Sequence, residues 1–394
     1  MRLDALSTLN EYAYGVGHFI NDLTAACWFN FLLIYLTSIN PIDSVNPGFY
    51  AGLVMLSGQI ADGLATPFVG YFSDRTNSRF GKRKPWYATG FVIVVVSFLF
   101  IFQNCMICSL DYNKTALKMS YYIFFPSLFN IGWAFMQVSH MSLVPSLSGC
   151  QIKKDRLNSL RNVFTFFANF FVLIVGLVFF NTIEDQVEQF QYLSYVVTLI
   201  GSLASLFFLL NLNERELVQR ANDLVRQQNR QQLQTKEERT GQNLLLSLDI
   251  TGSIHELKLS YWFKQLDFYV YGSIYMLVRM INNIFNSLIQ FYLYYVLNFS
   301  VQKDKTPIQT ALVPLISNVS QILVSFYIQK LYIMFGKKHL NTLGMVLMLF
   351  SSAVYWFLTP EINYLVYPAA FLSGISLSIS LNSGISFICD VVGK

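Results

Sequence analysis

The sequence predicts an all-α polytopic membrane protein, and three observations carry that prediction. Of the 394 residues only 12% are charged while 54% are hydrophobic, and the mean hydropathy is +0.44, whereas soluble domains carry about a quarter charged residues. Apolar stretches of the ~20 residues that a helix needs to cross a ~30 Å hydrocarbon layer recur from end to end. The remaining charges collect in short hydrophilic segments between them. Ten spans are expected, at residues 12–37, 49–72, 86–107, 119–147, 160–181, 191–211, 268–297, 308–329, 340–359 and 363–392. Met1 to Glu11 holds Arg2, Asp4 and Glu11 and lacks an apolar core with a small-residue cleavage site, so no cleavable signal peptide is expected.

In the first span Asp22 lies about ten residues in, roughly 15 Å of helical rise, and His18, Asn21 and Asp22 share a face by their spacing. The second span places Asp62 at comparable depth. Ionisable groups at mid-span are costly unless they face a cavity or a partner. Two carboxylates brought together in a dry cavity cannot both ionise cheaply, which offers a proton-binding mechanism with His18 or His140 as relays. The alternative is that Asp22 and Asp62 only cap polar contacts in a static bundle.

The third span ends in Cys105 and Cys108, a C-x-x-C without partner ligands, read as plain thiols or one disulfide rather than metal ligands. In the fourth, Gln137 and His140 share a face ahead of Pro145, as solute contacts or as a satisfied histidine. Arg161 sits at the inner end of the fifth, where snorkelling to the interface is the plain account. In the seventh, Arg279, Asn283, Asn286 and Gln290 form one polar stripe. A fixed cation beside amides suits a carboxylate-bearing solute; a salt bridge to Asp22 or Asp62 is the competing reading.

Between the sixth and seventh spans, Asn213 to Gln265 reads as a charged, solvated, partly helical linker. The organisation expected is a six-helix half at 1–212, a cytoplasmic linker at 213–265 and a four-helix part at 266–394. With a cytoplasmic N-terminus, the inner loops collect Arg75, Arg79, Lys82, Arg83, Lys84, Lys153, Lys154 and Arg156, while the outer loops hold only Lys114, Lys118, Lys303 and Lys305. This is the asymmetry of the positive-inside rule. The sequons at Asn113 and Asn298 fall in outer loops, where glycosylation is possible, and a third at Asn318 is buried in a span. The net charge of +5 is thus a topology signal rather than a nucleic-acid footprint.

An internal repeat relates the two parts. Gly70-Tyr-Phe-Ser-Asp74-Arg75 and Arg79-Phe-Gly81-Lys82 follow the second span, and Phe335-Gly336-Lys337-Lys338 follows the eighth. Parallel repeats with a solute site between them near the midplane describe the major facilitator fold.

The same residues carry a resemblance. Tyr14-Gly-Val-Gly17-His18-Phe-Ile-Asn21-Asp22, Asp62-Gly-Leu-Ala-Thr66-Pro67 and Asp74-Arg75 with Arg79-Phe-Gly81-Lys82 resemble the glycoside-pentoside-hexuronide cation symporter branch, and Gly132-Trp133 through Gln137 to His140, Asn158-Ser-Leu-Arg161-Asn162 and Tyr275-Met-Leu-Val-Arg279 narrow the resemblance. Within it the chain is similar to the group called major facilitator superfamily domain-containing protein twelve. The resemblance implies twelve spans, a solute and cation site carried over to Asp22, Asp62 and Arg161, and, from animal members, cysteine import into lysosomes and melanosomes. Thr66 stands where the branch has a second acid, against a sodium site, and Gln137 replaces the fourth-helix acid of the sugar symporters. Against twelve spans, the last two helices are expected to be missing from a chain that stops after Asp390-Val-Val-Gly393-Lys394.

The function expected is therefore secondary-active transport of a small polar solute, an amino acid such as cysteine, with protons as candidate coupling ion and membrane lipid as surroundings. The membrane is expected to be lysosomal or another endomembrane, with the plasma membrane as the alternative. Lysolipid or sugar transport and a non-transporting receptor or scaffold are the competing functions. No G-x-S-x-G elbow, P-loop or metal-spaced His/Cys set is present in the sequence, so neither enzyme chemistry, a cofactor nor a metal is expected.

Overall fold

The computed structural model describes residues 6–108, 114–148, 151–224, 226–227, 264–299 and 306–392. These residues are helical, with no strand among them. The first apolar stretch is broken: α1 (Thr8–Val16) ends at Gly17, and α2 (Phe19–Cys27) continues into π-helical turns at Trp28–Leu32 and Tyr35–Ile39. There follow α3 (Pro47–Arg75), α4 (Lys84–Ile101), α5 (Lys114–Met141), the short α6 (Val144–Leu147), α7 (Gln151–Thr182), α8 (Gln186–Asn211) and a helical segment, α9, at 214–224. After the charged stretch, residues 228–263 of which lie outside the described residues, come α10 (Leu266–Phe291), α11 (Gln309–Phe335), α12 (Lys337–Phe357) and α13 (Val366–Val392).

Among the described residues six helices are both long and apolar enough to cross a membrane: Lys84–Ile101, Arg156–Thr182, Gln186–Asn211, Gln309–Ile328, Lys337–Phe357 and Pro360–Gly384. The sequence reading expects ten. Helices α3, α5 and α10 have 29, 28 and 26 residues, ample for about 30 Å at 1.5 Å per residue. They are also the ones that carry Asp62, His140 and Arg279, so polar content rather than length separates them from the six.

The chain divides into two compact units. One comprises Met1–Leu224, Asn286–Asn318 and Thr359–Glu361; the other comprises Val225–Phe285, Val319–Leu358 and Ile362–Lys394. In the first unit α3 and α4 pack along α5, while α1 and α2 pack against α7 and α8. Its core is aromatic: Trp28 stacks on Phe129 at 5.5 Å, and Phe31 meets Phe180 and Phe190 edge-on at 5.6 and 5.8 Å. Such ring pairs add about 0.5–1.5 kcal/mol beyond their burial.

In lipid, helices gain little from hiding apolar surface from each other and associate through close packing at small residues. Gly90 and Gly132 supply that contact between α4 and α5. A Cβ on Gly90 would lie 2.7 Å from the Gly132 carbonyl oxygen, and one on Gly132 would lie 3.0 Å from the Gly90 oxygen. In the second unit α12 and α13 pair closely, with Leu340 and Ile379 buried and Gly344 directly under Ile379.

Candidate functional site

The break in the first helix creates the polar centre of the first unit. Gly17 is wedged where a Cβ would come within 2.7 Å of the Phe208 ring and 2.9 Å of His140 Nε2, so no larger residue fits without displacing them. The break leaves backbone carbonyls that side chains take up. His140 Nε2 lies 2.8 Å from the Tyr14 carbonyl oxygen, and because a carbonyl only accepts, Nε2 carries the proton. The Tyr14 and His140 rings stack with centroids 4.2 Å apart. From α4 the Tyr87 hydroxyl donates to the Gly17 carbonyl at 2.5 Å and lies 3.0 Å from Ser205 Oγ.

One turn beyond the break stands Asp22. Its Oδ2 lies 3.0 Å from His18 Nδ1 and accepts a hydrogen bond from Thr165 Oγ1 at 2.8 Å. The Asp22 and His18 side chains are only 12% and 6% exposed. Beside them Asn21 and Trp133 exchange hydrogen bonds: Asn21 Nδ2 donates to the Trp133 carbonyl and Trp133 Nε1 to the Asn21 carbonyl, both at 3.2 Å. Thr165 Oγ1 also lies 3.2 Å from the carbonyl oxygen of Arg161, one turn earlier on α7, the alternative acceptor for its one proton. The Arg161 guanidinium bonds Asn162 Oδ1 at 2.9 Å.

On the helices that form this centre, polar atoms are buried without a hydrogen-bond partner among the described residues: His18 Nε2, His140 Nδ1, Tyr14 Oη, Asn21 Oδ1, Gln137 Oε1 and Arg161 Nε. Buried polar groups in folded proteins are as a rule paired, so each unpaired one calls for a water, an ion or a solute. The set holds donors and acceptors together, as a zwitterionic or polyhydroxylated molecule would require. His18, Asp22, His140 and Arg161 are thus gathered with Thr165, Tyr14 and Tyr87. The sequence reading does not single out those three; the signal for Thr165 was its hydroxyl four residues after Arg161 in a phenylalanine-rich stretch.

The remaining expected site residues are placed differently. Asp62 is half-buried on α3 and accepts from Thr66 Oγ1 at 3.3 Å. Among the described residues no hydrogen bond or ion pair joins it to Asp22. Arg279 is exposed on α10, and Asn283 and Asn286 are half-buried. Gln290 is buried and donates to the Thr310 carbonyl at 3.0 Å, tying the end of α10 to the start of α11. Among the described residues no three His, Cys, Asp or Glu side chains gather as metal ligands.

The loop after α3 is built around a residue that the sequence reading gives to the linker. Glu214, 2% exposed, accepts from the backbone N–H groups of Lys82 (3.0 Å), Arg83 (3.0 Å) and Lys84 (2.8 Å), which cap the start of α4. Gly81 has φ +117°, and a Cβ there would sit 2.2 Å from the Glu214 carboxylate. Asp74 pairs with Arg83 at 2.9 Å rather than with its neighbour Arg75, which stacks on Tyr71 at 3.5 Å. Arg79 lies over Phe80 at 4.6 Å, Lys82 is exposed, and Gly70 faces Val138. Of the sequons, Asn113 lies outside the described residues, Asn298 is exposed with φ 52°, and Asn318 lies inside α11.

Comparison with known proteins fits this arrangement. The family profile described as "MFS/sugar transport protein" matches residues 13–271. Major facilitator superfamily domain-containing protein 12 of Homo sapiens is 32% identical over 409 aligned residues, which cover 98% of this chain and 79% of that protein. The chain belongs to the major facilitator superfamily. Within the superfamily it is also 27% identical to the uncharacterized symporter sll1374 of Synechocystis over 216 residues, 54% of this chain and 38% of that one. Its fold is that of the xylose transporter XylE from E. coli in a partially occluded inward-open conformation, with TM-score 0.63, 14% identity and coverage of 98% of this chain and 87% of that one. These relatives place the chain among secondary transporters of the symporter-bearing branch, and among membrane proteins rather than enzymes.

Proposed function

We propose that the chain moves a small polar solute, an amino acid such as cysteine, across a lysosomal or related internal membrane by alternating access, with protons as the coupling ion. The observation that carries this reading is Asp22, held between His18 and Thr165 on helices that bury unpartnered donors and acceptors. A carboxylate between an imidazole and a hydroxyl has a proton donor or acceptor on either side and can exchange a proton with a bound solute. In this reading the ten sequence spans cross the membrane from a cytoplasmic N-terminus, six before the linker at 213–265 and four after it, and the loop from Gly70 to Lys82 serves the conformational cycle. Arg279, Asn283 and Asn286 supply the polar stripe of the later part, Arg279 facing a solute carboxylate.

The direct test is uptake of a panel of labelled amino acids, with a lysolipid and a sugar as the competing substrates, into vesicles bearing the protein. Amino-acid uptake above that of empty vesicles is expected; uptake of only the sugar or the lysolipid would transfer the assignment to those classes. Because Thr66 rather than an acid stands one turn after Asp62, flux should follow a pH gradient and be indifferent to sodium. Sodium-dependent flux at fixed pH would refute the coupling. Asp62→Asn keeps size and hydrogen bonding but cannot titrate, so it should uncouple transport from the pH gradient or abolish it while the protein still inserts.

Sidedness has its own check. Replacing both Asn113 and Asn298 should abolish glycosidase-sensitive mass. If a cysteine placed at either site reacts with an impermeant maleimide only from the cytoplasmic side, the orientation is reversed.

A further inference from the structure

We infer that the Cys105–Cys108 pair after α4 is a thiol–disulfide exchange site for low-molecular-weight thiols and their disulfides, with Cys108 the exchanging sulfur and Cys105 the resolving one. The two form a disulfide across three positions, with Cα atoms 5.4 Å apart. The Cys108 N–H donates to the Cys105 carbonyl at 3.2 Å, closing a tight turn.

The two ends of that turn are held unequally. Cys105 packs against the aromatic core, and Asn104 beside it accepts from Asn40 Nδ2 at 3.0 Å, an amide that Lys118 holds in turn at 2.7 Å. Both cysteines are half-buried, but Cys108 is not part of that core packing. Between them Met106 and Ile107 are 70% and 45% exposed. They form one wall of an apolar groove of about 550 Å³, whose other walls include Phe100, Tyr121, Phe124 and Phe125. The turn therefore stands on the surface, with Cys105 the sulfur tied to the core and Cys108 the one outside that packing.

That asymmetry sets the chemistry. A C-x-x-C pair favours the thiolate state of its reduced form, and exchange runs by attack of a thiolate along an accessible disulfide. An incoming thiolate attacks Cys108 Sγ. The Cys105–Cys108 bond breaks as the new S–S bond forms, and Cys105 leaves as a thiolate that takes a proton from water. A second small thiolate then attacks the small-molecule sulfur of the mixed disulfide, and Cys108 leaves as a thiolate that takes a proton from water. In sum two small thiols are oxidised to one disulfide, and the two electrons reduce the protein pair. The reverse sequence reduces a small disulfide at the protein dithiol.

The test uses the whole chain in lipid vesicles. First, the unmutated protein is incubated with excess cysteine without denaturant, and the peptide spanning 105–108 is weighed; a gain of two hydrogens is expected. Second, Cys105→Ser and Cys108→Ser are exposed to biotinylated cystine, with the double variant as blank. Cys105→Ser should trap a mixed disulfide at Cys108, and Cys108→Ser about fivefold less at Cys105. A native bond that cysteine leaves intact would overturn the proposal, marking a structural disulfide. Equal trapping by both single variants would overturn the assignment of the two roles.

Discussion

Replacing Glu214 by alanine is expected to cost about 3 kcal/mol or more of stability and to strip most of the protein from the membrane fraction. The carboxylate is 2% exposed and accepts from three successive backbone N–H groups at the start of α4. Hydrogen bonds to a charged acceptor are individually worth about 1.5–3 kcal/mol, and donors stripped of their partner keep the full desolvation penalty. Gly81→Ala should damage the same structure from the other side. Its backbone lies at φ +117°, and its Cβ would collide with the Glu214 carboxylate. A side chain forced into a left-handed conformation costs about 1–2 kcal/mol before any clash is counted. Because both changes dismantle one contact, the double variant should lose less than the sum of the single losses. Thermal unfolding in detergent, read by the temperature of aggregation, measures all three. Additive losses would show that Glu214 and Gly81 act independently.

The second large effect is expected on transport rather than on folding. Asp22→Asn should reduce initial uptake to the background of empty vesicles while shifting the unfolding temperature by only a few degrees. The amide still accepts from Thr165 and still fills the volume, but it cannot carry the charge that His18 faces at 3.0 Å. Thr165→Val provides the matched control. It removes the second hydrogen bond to Asp22 Oδ2 without removing the carboxylate, so uptake should fall in part and its pH profile should move. Wild-type uptake by Asp22→Asn would exclude Asp22 from the coupling site and leave its contacts purely structural.

How much of this was legible in the sequence depends on the scale of the feature. Apolar length and charge asymmetry are summed over many residues, so the all-helical membrane class and the superfamily emerge from composition and motif alone. His18, Asp22, His140 and Arg161 were legible because a charge or imidazole inside an apolar run is conspicuous. Thr165 was not, since a single hydroxyl among phenylalanines costs little in a helix and becomes informative only when α7 brings it within 2.8 Å of Asp22. Glu214 was hidden differently: it opens a stretch of charged residues, and local composition cannot distinguish an acid that folds back 130 residues from one that is solvated. The helix break at Gly17 could not be read either, because glycine in an apolar span more often marks close packing than a discontinuity.

That break gives the first helix two independent moorings. Before it, the buried Glu11 is gripped by Lys153 and by Arg156, the latter at 2.8 Å, and Asn10 holds the Asn211 carbonyl at 3.0 Å. After it, Asn40 is knotted to Tyr35, Tyr122, Asn104 and Lys118. Between those moorings, Gly17 and His18 are the two residues that join α1 to α2. Asp22 sits in the first turn of the downstream segment, so gaining or losing its bond to His18 acts at the joint itself. A proton gained or lost at Asp22 would therefore change a contact that spans the joint between the two segments.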